Sequence, residues 1–343
     1  MGPRLSGPEP SGPEPSEGDR AAHARARARA YSLFARLMGE GPSPRWLGAA
    51  ALEARMCEAI ESYADRDSLA ADHEHVLGNT CFASLYLDPE ARLGGETSDR
   101  AREALSRAGI LEGPSGEEPE HLATQLHALA LLSGAEADAL EDCESEIALR
   151  MRAASRHVLD ALVLRYAPIL ADAARRSGRA WPAACADALE GLLLQHRSTL
   201  GAPEPSDADF ALPPLALSLD EAQTDLSAIS GALTRPARAG FFVSRDDLAL
   251  LGRKTSTPRG FGDRATELEN LLRGAAELGS WVALIDGLDA QALESASNIA
   301  SLSDVPEALR APWRSRIEAT RAILARLRDA LPDAPGGAEG DAR

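Results

Sequence analysis

Apolar residues recur along most of the chain at the spacing of an amphipathic α-helix. The first such stretch runs from about Asp19 to Met38. Within it Tyr31, Phe34 and Met38 lie on one stripe, because residues three and four apart share a face of an α-helix. A stripe of large apolar side chains needs a core to cover it. The pattern therefore predicts a long N-terminal helix that packs against the rest of the protein.

The same spacing predicts helices throughout the chain, separated by segments that contain Gly, Pro or Ser. The predicted stretches are 45–65, 67–77, 96–108, 119–133, 136–176, 181–199, 217–230, 244–253, 263–279, 281–299 and 306–331. Ser244 followed by Asp247, and Asp263 further on, are typical N-terminal caps for two of these helices. No stretch alternates apolar and polar residues for long enough to predict a strand. We therefore predict an all-α fold, a helical bundle with additional C-terminal helices.

The composition favours the same fold class. Hydrophobic residues make up 44% of the 343 residues, but aromatic residues only 4%. Alanine and leucine, which are abundant, are strong helix formers, whereas strands are rich in β-branched and aromatic residues. A β-sandwich or β-barrel is therefore disfavoured.

Segments rich in proline and glycine predict the domain organisation. Residues 1–18 contain the sequence SGPEP twice, and residues 332–343 combine a Gly-Gly pair with small polar residues. Both segments are expected to be disordered tails, because they cannot bury a core. Residues 201–214 contain four prolines and predict a linker. The linker would join a helical domain at 19–200 to a helical C-terminal extension at 215–331.

The charge balance restricts the partners. Asp and Glu number 53 against 36 Lys and Arg, a formal net charge of −17. Nucleic-acid binding requires a cationic face, so we expect no nucleic-acid partner. The acidic chain would instead attract a cationic partner, such as an arginine-bearing peptide. Residues 20–36 are the exception, with five arginines and no acid. This stretch would suit an RNA or a membrane surface, but a solvated helix face is the more common interpretation.

Sequence motifs for catalysis are missing. The chain has no G-x-x-x-x-G-K-[ST] phosphate loop, no G-x-S-x-G turn and no H-E-x-x-H pair. The side chains of 72–75, Asp-His-Glu-His, point to different sides of a helix and would not converge on one metal ion. The four cysteines lie far apart, which is typical of reduced thiols. We expect no catalytic residue, no metal and no cofactor, and therefore no enzyme.

Targeting and membrane-spanning patterns are also missing. The N-terminus has no apolar stretch of the kind found in a signal peptide. No later segment reaches the run of roughly 18 apolar residues that a transmembrane helix needs. We expect a cytoplasmic protein without membrane insertion.

Two segments carry a resemblance to a known family. The first is ASLYLDPE at 83–90, followed by GET at 95–97, and the second is EPEHL at 118–122, leading into ATQLHALALL. In this order, after a first helix that contains YSLFARLM, they resemble the TorD/DmsD/NarJ family of redox-enzyme maturation chaperones over about 25–200. The resemblance implies an all-helical cytoplasmic protein that binds the precursor of a molybdopterin oxidoreductase. Such proteins often grip the twin-arginine signal peptide and hold the client for cofactor loading before export.

The chain departs from the family pattern in three places. Family members commonly have Asp before the histidine that matches His121, and here that residue is Glu120. The family also tends to carry a His and a Trp in the helix that matches 157–170, where this chain has Tyr166. The region 215–331 is an extension beyond the short members of the family.

The second segment offers a candidate recognition site. On a helix that starts at 119, Leu122, Leu126 and Leu129 would form the buried face. Glu120 would lie on the opposite, exposed face, and the acidic loop of Glu117, Glu118 and Glu120 would meet the arginine pair of a signal peptide. The alternative is that these acids only favour the positive N-terminus of the helix.

Six residues are the candidates for client binding. They are Glu118, Glu120, His121, Gln125, Ser84 and Tyr86. For Tyr86 the alternative is a core aromatic residue whose hydroxyl is satisfied, and the Asp88-Pro89 pair that follows is first of all a turn signal.

Three functions follow from the sequence. The first is a maturation chaperone that acts by binding a molybdopterin oxidoreductase or its signal peptide. The second is a helical scaffold or regulatory module without chaperone activity, with 215–331 as its main interaction surface. The third, a hydrolase or nucleotide-dependent enzyme, would need a convergent polar pocket that the sequence does not indicate.

Overall fold

Helices make up the fold in the computed structural model of the chain. The structure describes residues 16–110, 118–201, 210–213, 217, 219 and 224–330. Within these ranges there is no strand, and the only β-type pairing is an isolated antiparallel bridge between Phe82 and His121. The prediction of an all-α fold is confirmed.

Sixteen α-helices lie within the described ranges. They are α1 Glu17–Glu40, α2 Pro44–Ala50, α3 Ala54–Glu61, α4 Arg66–His73, α5 Ala83–Leu87, α6 Gly95–Arg107, α7 Leu122–Glu141, α8 Ser145–Ala161, α9 Ala167–Arg176, α10 Ala180–Thr199, α11 Leu226–Leu233, α12 Pro236–Ala239, α13 Arg245–Thr255, α14 Arg264–Leu278, α15 Trp281–Ser301 and α16 Glu307–Ala330.

The first helix forms as its apolar stripe predicts. A capping box starts α1, since Ser16 Oγ accepts the Asp19 amide and the Asp19 carboxylate accepts the Ser16 amide. The helix packs along α7 and buries Tyr31 and Phe34. Residues 16–18 of the predicted N-terminal tail therefore belong to the start of this helix. The rest of that tail, and the predicted C-terminal tail, lie outside the described residues.

Two predicted stretches are interrupted in the structure. The stretch 45–65 is two helices, α2 and α3, with a turn at 51–53. The stretch 136–176 is broken at Cys143, whose φ of 60° is incompatible with a right-handed helix, and again at the 3₁₀ turn Val163–Arg165. The sequence signals were continuous in both places because apolar spacing continues across a tight turn.

The C-terminal helices share the core of the first ten. Apolar side chains from α11 to α16 join one continuous buried cluster with those of α1 to α10. The predicted caps are confirmed, with a capping box of Ser244 and Asp247 at α13 and a side-chain cap of Asp263 at α14. Most of the predicted linker 201–214 lies outside the described residues, so that boundary stays a prediction.

A buried guanidinium joins the two parts. Arg176 on α9 pairs with Asp247 on α13 at 2.6 Å and with Asp172 on its own helix at 3.2 Å. Asp172 in turn accepts hydrogen bonds from Ser295 and Asn298 on α15. Removing one partner of such a buried pair typically costs about 3–5 kcal/mol. The extension is therefore held to the first part through Asp247, whose buried carboxylate takes its cation from α9.

Candidate functional site

The two segments that carry the family resemblance lie side by side in the structure. The bridge between Phe82 and His121 joins the start of α5 to the turn before α7. The Ala83 amide donates to the Glu120 carbonyl at 3.0 Å, and the Leu122 amide donates to the Cys81 carbonyl at 2.8 Å. These bonds bring all six candidate residues to one junction.

Glu120 is buried in this junction, and the prediction that it lies on an exposed face is wrong. Its carboxylate accepts the backbone amides of Ser84 at 3.1 Å and of Gly94 at 2.5 Å. The helix begins at Leu122 and not at 119. Glu120 therefore belongs to a turn, where helical spacing does not tell which way a side chain points. The carboxylate ties α5 to the start of α6 and has no open side for a client arginine.

Gln125 and Ser84 are also fully buried. The Tyr166 hydroxyl donates to Gln125 Oε1 at 3.1 Å, and Gln125 Nε2 donates to the Pro119 carbonyl at 3.3 Å. Gln125 therefore uses both ends of its amide inside the protein. It fixes the turn before α7 from the inside.

Tyr86 is a core aromatic residue, which is the alternative that the sequence left open. Its ring stacks on Tyr166 with 5.5 Å between centroids and an interplanar angle of 27°. Burial raises the pKa of the Tyr86 phenol well above its usual value. The other part of that alternative, a satisfied hydroxyl, is wrong, because within the described ranges the Tyr86 hydroxyl has no hydrogen-bond partner. The Ser84 hydroxyl has none there either.

Two of the six candidates reach the surface. Glu118 is exposed, and His121 is half-buried. The His121 ring lies edge-on to Phe82, 4.6 Å between centroids, and its Nδ1 accepts the Ala123 amide at 3.2 Å, so it caps α7. Glu117, the third acid of the predicted loop, lies outside the described residues.

The extension covers the other side of Tyr86. The Phe242 ring lies 5.6 Å from the Tyr86 ring. A cavity of about 330 Å³ remains between the two parts, with Thr80 and Tyr86 on one wall and Phe242 and Arg264 on the other. The Arg264 guanidinium stacks 4.2 Å above Phe242 and donates to the Val243 carbonyl at 3.0 Å. Burial lowers the pKa of Arg264, which has no carboxylate partner within the described ranges.

Sequence reasoning missed one acidic residue beside this face. Glu90, two residues after Asp88, pairs with Arg235 at 3.0 Å and also with Arg238. The available signal was the segment 235–243, RPARAGFFV, in which two arginines precede an apolar run. Its pairing with an acid far earlier in the chain is a tertiary contact that spacing alone does not predict.

Neither a metal cluster nor a membrane-spanning helix is found among the described residues. No group of three or more His, Cys, Asp or Glu side chains in the described ranges is arranged to hold a metal ion. Among the same residues, no helix combines the length and the apolar character that crossing a bilayer requires. The arrangement offers an acidic turn, a partly apolar cavity and a carboxylate paired with two arginines.

Comparison with known proteins identifies the class and then the family. The fold is that of an all-α helical bundle with an added set of C-terminal helices. Residues 51–172 match the family model described as nitrate reductase delta subunit. This range begins directly after α2, ends within α9 and contains both segments that carried the resemblance. The TorD/DmsD/NarJ resemblance is therefore confirmed, since residues 51–172 match a family of NarJ/TorD-type chaperones.

The family sets the general role. It is a chaperone family rather than a catalytic one, and it works with molybdoenzymes of the nitrate reductase type. The domain thus supports a general role in molybdoenzyme maturation. No curated protein and no solved structure gives a significant match to the chain.

Proposed function

We propose that this protein is a cytoplasmic chaperone that binds the apo form or the twin-arginine signal peptide of a molybdopterin oxidoreductase. It assists cofactor loading and assembly of that client before export. The observation that supports this most directly is the family match over 51–172. The contact between 83–97 and the turn before α7 supports it further, because the two segments that define the resemblance form one unit.

The exposed members of the candidate set are the proposed client contacts. Glu118 and His121 lie at the surface of the turn before α7, where a carboxylate can receive an arginine. The net charge of −17 adds a long-range attraction for a cationic peptide. Glu120, Gln125, Ser84 and Tyr86 would act indirectly, by holding this turn and the neighbouring α5 in place.

Titration calorimetry tests this function with a synthetic twin-arginine signal peptide of a molybdopterin oxidoreductase. We expect binding that weakens as salt rises, because attraction between exposed charges is screened. Glu118→Gln should weaken binding by up to about fivefold, the usual range for one exposed ion pair. Glu277→Gln, at an exposed position on α14, is the matched control and should change nothing.

The scaffold alternative predicts a different result. A helical interaction module without chaperone activity would show no affinity for the signal peptide at either salt concentration. It would also give no increase in cofactor-loaded client when the two proteins are produced together.

A further inference from the structure

The segment 235–243 has the same order of chemistry as the client proposed above. Two arginines, Arg235 and Arg238, are followed by the apolar run of Phe241, Phe242 and Val243. We call residues 235–243 the internal basic segment. It lies against α5 and the turn that follows α5. Both of these belong to residues 51–172, which match the chaperone family.

The basic half of this segment converges on a single carboxylate. Arg235 Nη1 lies 3.0 Å from Glu90 Oε2, and the Arg238 guanidinium pairs with the other Glu90 oxygen. Arg238 Nε also donates to the Pro89 carbonyl at 2.8 Å. Two cations thus share one acid at this place, although acidic residues outnumber basic ones in the whole chain.

Glu90 differs from the other acids of this face. Asp88 accepts the backbone amides of Glu90 and Arg92 at 2.8 and 3.1 Å, and Glu120 is fully used by backbone amides. Glu90 is bound by guanidinium groups, which another guanidinium can replace. Among these three acids, Glu90 is the one whose partners are guanidinium groups, the groups that the client's arginines would also present.

The two halves of the internal basic segment differ in how firmly they are held. Phe241, Phe242 and Val243 are buried, and the carbonyls of Phe242 and Val243 accept hydrogen bonds from Arg176 and Arg264. The Glu90 side chain is 30% exposed, and those of Arg235 and Arg238 are 32% and 20% exposed. Pro236 and Ala237, between the two arginines, are buried as well. The two guanidinium groups can therefore exchange at Glu90 while the backbone around them and the apolar half stay packed.

We propose that Glu90 receives an arginine of the client's twin-arginine signal, and that Arg235 and Arg238 occupy Glu90 as internal competitors when no client is bound. This inference rests on the proposed function, since it names the residue that binds the client arginine and the two residues that compete with that arginine. Affinity for the client is reduced in proportion to the fraction of Glu90 that the internal arginines occupy. A peptide with few arginines would thus bind too weakly to displace Arg235 and Arg238 from Glu90.

The test compares variants of the full chain by titration calorimetry. The probe is a synthetic peptide with two consecutive arginines followed by a leucine-rich run, and its partner has both arginines replaced by glutamine. Arg235→Gln with Arg238→Gln should tighten binding of the arginine probe by about threefold to tenfold, because two exposed competing pairs are lost. Glu90→Gln should weaken binding and should also cancel the gain of the double variant.

Arg321→Gln is the matched control. Arg321 forms a comparably exposed two-bond pair with Asp289 between α15 and α16, away from the internal basic segment. This variant should bind both probes as the unaltered protein does. The glutamine probe should be insensitive to all the substitutions.

A second measurement does not depend on any variant. Hydrogen exchange of the Arg235, Ala237 and Arg238 amides should become faster when the arginine probe binds, because the displaced side chains no longer anchor this turn to Glu90 and Pro89.

The outcomes separate the two claims. If the unaltered protein binds the probe but the double arginine variant binds no more tightly and exchange at 235–238 is unchanged, the competitor model is overturned and the proposed function stands. If neither the unaltered protein nor any variant binds the probe, the proposed function is overturned, and so is the inference that rests on it. Binding by the double variant alone would support the inference in its strongest form.

Discussion

At the scale of single residues, the Glu120 carboxylate shows why charge in a sequence is a poor guide to exposure. The residue follows two other acids, and its surroundings in the sequence are those of a solvated loop. In the fold it accepts two backbone amides and lies out of contact with water. An acid in this role stabilises the structure from the inside, because backbone amides occupy both of its oxygens.

Glu120→Gln should therefore lower the free energy of unfolding by about 2–3 kcal/mol. The amide replaces one of the two acceptor oxygens by a donor that faces a backbone N–H, and hydrogen bonds to a charged group are worth about 1.5–3 kcal/mol. Urea denaturation measures the loss. Glu118→Gln, two residues earlier and exposed, is the control and should change the free energy by less than about 0.5 kcal/mol. Equal stability of the two variants would show that the buried carboxylate bonds contribute nothing.

The sequence predicted the apolar residues of this site better than the polar ones. Leu122, Leu126 and Leu129 are fully buried, as their spacing predicted. Their burial is a property of one helix, which local spacing describes. The positions of Glu120 and Gln125 depend on partners more than 25 residues away in the chain, in α5, the Gly94 turn and Tyr166, and no local pattern contains that information.

At the scale of helices, the long periodic ones were predicted and the short ones were missed. The helices α5 and α12 have five and four residues, about one turn each, which is too short to show a period. Both helices lie beside Glu90, since α5 precedes it in the chain and Arg238 of α12 pairs with it. The connection after α12 sets the direction in which Phe241, Phe242 and Val243 enter the core. Gly240 ends α12 in the left-handed conformation with φ of 87°.

Gly240→Ala should destabilise the protein by more than the strain of a left-handed alanine, which is about 1–2 kcal/mol. A Cβ at this position would lie 2.7 Å from the backbone nitrogen of Ile317 in α16, so the two helices would have to move apart. Gly279→Ala is the matched control, because its φ is 68° and its Cβ would meet no atom within 4 Å. Thermal unfolding of the two variants gives the comparison. A melting temperature lowered equally in both would mean that the close contact with α16 has no cost.

At the scale of the whole molecule, stability should depend on pH through two buried histidines. Burial lowers the pKa of His73 to about 4, where its Nδ1 accepts the Trp181 indole N–H. Burial, with the charges of Arg27 and Arg152, lowers the pKa of His196 to about 3. Both values lie below the unfolded value of 6.5. The unfolded chain therefore binds more protons in this window, and stability is complete above 6.5 and falls with pH below it.

Each of these histidines should cost about 2 kcal/mol of stability between pH 6.5 and pH 5, since one pKa unit corresponds to about 1.4 kcal/mol. Urea denaturation at pH 7.5, 6.5 and 5 measures the slope. His73→Gln should reduce the slope by about half, because His196 continues to contribute. A slope that His73→Gln does not alter would mean that His73 is protonated in the folded protein.

The guanidinium of Arg176 has a consequence for the history of the molecule. It is shared by one acid of its own helix, Asp172, and one acid of the extension, Asp247, at less than 6% exposure for all three side chains. Exchange of the first half for that of a relative without this arginine would leave the buried Asp247 carboxylate without its cation. The two halves are therefore expected to be inherited together, and substitutions at Arg176 and Asp247 to occur in pairs.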